Sequence, residues 1–133
     1  MTIGLLLITH SRIGEAMLET AGKMLEGAPL AVEILPVGID SNPEKLVQQA
    51  SGLIERLDQG RGVLVFTDMY GSTPSNIAYS LAEKGRVNVI SGINLPMLIR
   101  TLNYQTMDLD GLTEKAVSGG KEGIICCETL KKL

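Results

Sequence analysis

Leu5-Leu6-Leu7-Ile8-Thr9-His10-Ser11-Arg12-Ile13-Gly14 is the stretch on which the fold of this chain turns. Its first half is a short continuous apolar run, the pattern of a strand covered on both faces. It closes on His10, the sole histidine of the sequence, and a helical spacing begins directly behind it. Between Arg12 and Glu26 apolar residues fall at Met17, Leu18, Ala21, Met24 and Leu25, the stripe of one helix face. His10 is thereby predicted where a buried strand stops and a helix starts, the edge at which open α/β sheets bind ligands. An isolated histidine at such a point is ordinarily a solvated loop residue. Its meaning depends on what the rest of the chain brings to the same edge.

The alternation continues outward. Gly27 and Pro29 stop the first helix, and Ala31–Val37 predicts a second strand. Asn42 as N-cap and Pro43 in the first helical position open a helix carrying Leu46, Val47, Ala50, Leu53, Ile54 and Leu57 on one stripe. After the turn Gln59–Gly62, residues Val63–Phe66 predict a third strand with Thr67 and Asp68 at its carboxyl end. The loop Met69–Pro74 leads into a helix bearing Ile77, Ala78, Leu81 and Ala82, which Gly85 ends. Val87–Ile90 predicts a fourth strand, followed by the loop Ser91–Pro96. Helical patterns cover Met97–Tyr104 and Gly111–Val117, Gly119 and Gly120 are expected to break the second, and Gly123–Cys127 reads as a last short strand. The class is α/β, because strand–helix alternation predicts right-handed βαβ units and a parallel sheet with helices on both faces. The last strand is the odd element, since it follows two helices without a crossover of the earlier kind.

Composition narrows the function. A chain of 133 residues predicts one domain, 1–133, and its hydrophobic content of 44% suffices for a core of Leu, Ile, Val, Ala and Met. A net charge of −3 without any basic run argues against nucleic acid as a partner. No apolar stretch approaches the roughly 18 residues of a membrane span. The opening apolar run lacks a basic flank and reads as a strand, not as a signal peptide. Cys126 and Cys127 are adjacent, cannot make a disulfide framework, and point to a cytoplasmic chain. With one histidine and no C-x-x-C pair, neither a zinc site nor any other cofactor is expected.

Three loops are predicted at carboxyl strand ends: His10-Ser11, Asp68–Thr73 and Gly92–Pro96. In a doubly wound sheet they converge on one edge, which makes Asp68 a neighbour of His10. A carboxylate accepting one ring N–H fixes the tautomer and leaves the other nitrogen nucleophilic. Ser11, Gly71, Ser72 and Thr73, with the helix starts behind them, offer hydroxyls and backbone N–H groups to an anion. These parts make a nucleophilic nitrogen beside a phosphate-sized cradle. Neither a P-loop lysine motif nor G-x-G-x-x-G is present, which argues against an ordinary nucleotide site. Arg12 is predicted to be solvated, although a cation there also suits a phosphate or an acidic partner.

On Thr9-His10, Asp68-x-x-Gly71-x-Thr73-Pro74-x-Asn76, Ser91-Gly92-Ile93-Asn94-Leu95-Pro96-Met97-Leu98 and Gly119-Gly120-Lys121-Glu122-Gly123, the sequence resembles the IIA component of the mannose-type bacterial phosphotransferase system. The resemblance covers almost the whole chain. It implies an open, mostly parallel sheet of order 2-1-3-4 with helices on both faces. It further implies a closing antiparallel strand exchanged between the subunits of a homodimer. His10 would then be the phosphorylated residue, Asp68 its orienting partner, and Thr73 the hydroxyl near the phosphate. Phospho-HPr would be the donor and a IIB component, attached to a membrane permease complex, the acceptor. The family's loop often reads Gly-Gly-Ser or Gly-Gly-Thr, so Ser72, which carries a side chain, puts the loop's shape in question if a positive φ is needed there.

Two further readings share this fold. One is a regulatory protein whose phosphorylation state controls binding to a target protein. The other is the phosphotransferase subunit of dihydroxyacetone kinase, against which the Gly-x-Thr-Pro-Ser-Asn and Asn-Leu-Pro-Met-Leu loops weigh. A small hydrolase built on His10, Asp68 and a serine lacks the G-x-S-x-G elbow.

Overall fold

The strand that ends in His10 is the inner girder of the sheet. In the computed structural model, which describes residues 2–25 and 31–128, β1 (Gly4–His10) is buried from its first residue to Thr9. It pairs in parallel with β2 (Val32–Val37) on one side and β3 (Val63–Thr67) on the other, and β4 (Val87–Ser91) pairs in parallel with β3. The order β2-β1-β3-β4 is the one expected. The register sets Ile8 opposite Thr67 and Thr67 opposite Ser91, so the carboxyl ends of β1, β3 and β4 lie side by side.

Alternation along each strand divides the core in two. Leu5, Leu7, Leu64 and Phe66 face α1 (Ile13–Met24), α4 (Leu95–Asn103) and α5 (Leu109–Glu122). Leu6, Ile8, Val63 and Val65 face α2 (Pro43–Leu57) and α3 (Thr73–Ser80). Each such side chain taken wholly out of water contributes about 1.5–3 kcal/mol. This two-sided burial is why β1 and β3 read as unbroken apolar runs.

The helix-start signals of α2 and α4 are met in detail, whereas α3 ends at Ser80 and leaves Leu81, Ala82 and the expected stop at Gly85 outside it. Asn42 Oδ1 accepts the Glu44 N–H at 3.0 Å with Pro43 behind it. Asn94 caps α4 through the Met97 N–H at 3.0 Å. Met17, Leu18 and Ala21 form the inner face of α1, but Met24 is exposed. The expected stop at Gly27 and Pro29 lies outside the described residues. Among those residues no helix is long and apolar enough to cross a membrane.

The C-terminal expectation is corrected. Gly119 and Gly120 do not break a helix; α5 runs through them to Glu122. They serve close packing: a Cβ on Gly119 would stand 3.0 Å from Arg100 Cβ, and one on Gly120 would stand 2.6 Å from Met97 Cε. Gly123–Cys127 forms no strand, and nothing in the described residues shows a strand exchange. The reason is positional. α5 ends against Pro96, beyond the carboxyl end of β4, and the segment after it leaves with Ile124 and Ile125 exposed.

Candidate functional site

Burial along β1 ends at His10, whose side chain is 41% exposed. Asp68, the first residue after β3, reaches across the boundary between the two strands. Its Oδ2 stands 2.8 Å from His10 Nδ1 and also accepts the His10 backbone N–H at 3.2 Å. In the neutral ring, donation from Nδ1 to the Asp68 carboxylate leaves the Nε2 lone pair free. The second oxygen, Oδ1, is buried and accepts no hydrogen bond. The pair occupies the point where the strand order reverses direction, between β1 and β3.

Of the residues singled out in the sequence, Ser11 and Thr73 share with His10 a cleft of about 600 Å³, whose far wall is the β2–α2 loop. Ser11 adopts φ +48°, an uncommon conformation for a residue with a side chain, and its N–H donates to Val37 O at 2.9 Å. Gly71 does not enter this cleft. It lines a neighbouring depression of about 460 Å³ with Tyr70, Asn76 and Tyr79. The loop's positive φ, +80°, lies at Gly71, whereas Ser72 is extended at φ −88°. The side chain of Ser72 is therefore unstrained, and its hydroxyl is engaged with Met69 O at 2.6 Å. The N-cap residues Arg12 and Ser72 make no side-chain cap for α1 and α3, whose first turns point to the same edge as His10. Arg12 is exposed and paired with Glu15 at 3.1 Å; the hydrogen bond to Glu15 and that residue's charge raise the Arg12 guanidinium above its usual range.

Hydroxyl ties that were not read from the sequence fix the loops. Buried Thr9 Oγ1 accepts the Gly14 N–H at 2.8 Å and so holds the first turn of α1 against the strand end on either side of His10. Thr67 Oγ1 donates to Ser91 Oγ at 2.8 Å, and Ser75 Oγ stands 3.1 Å from the same atom. A hydroxyl residue next to each predicted site residue was visible, but nothing in spacing alone says which hydroxyls meet.

The chain has clear relatives. The family described as "PTS system fructose IIA component" matches residues 4–117. The "PTS system mannose-specific EIIAB component" of Escherichia coli (strain K12) is 35% identical over 127 residues, which is 93% of this chain but 39% of that protein. The chain thus spans about two fifths of that relative. Among solved structures, phosphotransferase system component EIIA from Streptococcus agalactiae superposes with a TM-score of 0.84 at 23% identity, covering 96% of this chain and 98% of the other. The mannose/sorbose-specific IIA subunit from Enterococcus faecalis gives 0.82 at 22% identity, covering 95% of each chain. At those identities the two structures establish the fold.

Proposed function

Since the chain belongs to the mannose-type IIA family of the phosphotransferase system, whose components are phosphocarriers working through a phosphohistidine, we propose that His10 is its carrier residue. The supporting observation is the grip of Asp68 on Nδ1 at 2.8 Å, which frees Nε2 on the open side of the ring.

Nε2 attacks the phosphorus of a donor phosphohistidine. The N–P bond of the donor breaks, its imidazole leaves with the electron pair, and a new N–P bond forms at His10. Positive charge that develops on the His10 ring is stabilised by Asp68. Ser11 and Thr73, which line the cleft with His10, together with backbone N–H groups in the first turns of α1 and α3, receive the transferred oxygens. Phosphoryl transfer asks for little beyond such positioning and charge stabilisation.

Protein partners suit the surface. Ile39, Met69 and Tyr70 stand exposed on the loops beside His10 and Asp68, an apolar rim of the kind another carrier covers on docking. Phospho-HPr is the proposed donor and a IIB component the proposed acceptor, in the cytoplasm. The exposed Ile124 and Ile125 favour a homodimer in which the segment after α5 pairs with a second copy.

The test supplies enzyme I, HPr and phosphoenolpyruvate to the wild type and to His10→Gln. The wild type should gain one acid-labile, alkali-stable phosphoryl group by mass, and the variant, folded by circular dichroism, none. Label retained in His10→Gln would overturn the assignment.

A further inference from the structure

Both ends of the loop that carries Asp68 are tied to one atom. Thr67 directly precedes Asp68, and its hydroxyl donates to Ser91 Oγ at 2.8 Å. Ser75 lies in the first turn of α3, just after Thr73, and its hydroxyl meets Ser91 Oγ at 3.1 Å. The Thr67 carbonyl accepts the N–H groups of Gly92 and Ile93, both at 3.0 Å. The end of β4 therefore holds the backbone before Asp68 and the helix turn after Thr73 as one unit.

Thr67 is 0% exposed and Ser75 is 2% exposed. Replacing buried, mutually bonded hydroxyls together by apolar groups of the same shape can leave stability nearly unchanged, so their use points to the direction the bonds impose. Filling the space would need only Val and Ala. Three hydroxyls instead fix the separation of two strand ends and a helix start to within hydrogen-bond tolerance. The groups so fixed are Asp68, which orients the His10 ring, and Thr73, which walls the cleft beside it.

We infer that Ser91 is a positioning residue for phosphoryl transfer: its hydroxyl sets the placement of Asp68 and Thr73 about His10 without touching the transferred group. The inference rests on His10 as the phosphoryl acceptor. Misplacement of catalytic groups by about an ångström costs up to roughly a hundredfold in rate.

The experiment compares wild type, Ser91→Ala and Ser91→Thr. It measures single-turnover phosphorylation from phospho-HPr across donor concentrations, and the ¹⁵N shifts of the imidazole, which belong to one residue because the chain has one histidine. Ser91→Ala should slow transfer at saturating donor by about tenfold to a hundredfold, with half-saturation unchanged. Its ring shifts should move from the Nδ1–H tautomer toward a mixture. Ser91→Thr, which keeps the hydroxyl, should restore both readouts. If Ser91→Ala does not fold, Thr67→Val removes one hydroxyl at constant volume and should give the same signature. A wild-type rate and wild-type shifts in folded Ser91→Ala or Thr67→Val would overturn the role of Ser91 while leaving His10 as acceptor. A wild type that takes no phosphate on His10 would overturn both.

Discussion

Asp68 uses one oxygen for two bonds to His10 and buries the other without a donor. Such a carboxylate is held by its neighbours and is not free to choose its rotamer. Asp68→Asn should leave the fold intact and cut the phosphorylation rate by the loss of one electrostatic contact, about 2–4 kcal/mol. In rate that is a slowing of roughly thirtyfold to a thousandfold, read in the same phospho-HPr assay. A wild-type rate in the folded variant would show that Asp68 does not assist transfer. The meeting of His10 and Asp68 was legible in the sequence because strand ends in a parallel sheet share an edge. The loop's shape was not. Ser72 stood where a glycine is usual, and φ cannot be read from residue type; the positive φ is taken by Gly71. The meeting of Thr67, Ser75 and Ser91 was equally hidden, since it depends on strand register and on the angle at which α3 leaves the sheet.

At the level of elements, four strands and the first, second and fourth helices follow their hydrophobic periods, because each period records the faces the element must bury, whereas α3 stops at Ser80, short of Leu81, Ala82 and the expected end at Gly85. The fifth helix departs from its signal. Gly119-Gly120 lowers local helix propensity, yet α5 makes closer contact with α4 than side chains at those positions would permit. Tertiary packing outweighs propensity there, and a pairwise contact of this sort leaves no trace in a one-dimensional pattern. Gly123 carries the point furthest, for a Cβ there would lie 2.5 Å from Cγ of the rigid Pro96 ring. Gly123→Ala should therefore destabilise the domain by about 1–3 kcal/mol, as overpacking does, measured as a lower urea midpoint. An unchanged midpoint would mean that α5 does not end against α4 in this way.

For the whole molecule, the exposed Ile124 and Ile125 are an apolar pair that follows directly on α5. Sedimentation equilibrium at micromolar concentration should return the mass of two chains, and replacing both isoleucines by aspartate should shift that mass toward one. A full-length monomer would dismiss the pairing. The sequence suggested a strand there because Gly123–Cys127 has the composition of one; composition alone does not supply the edge a strand must pair with, and the segment forms none. A last consequence follows from the 41% exposure of the His10 side chain. On the proposed function, a phosphoryl group carried there would face bulk water. Shelf life would then be traded for reach: the bond would be shielded only while a partner is docked, and the pace of hand-over would be set by how often partners arrive.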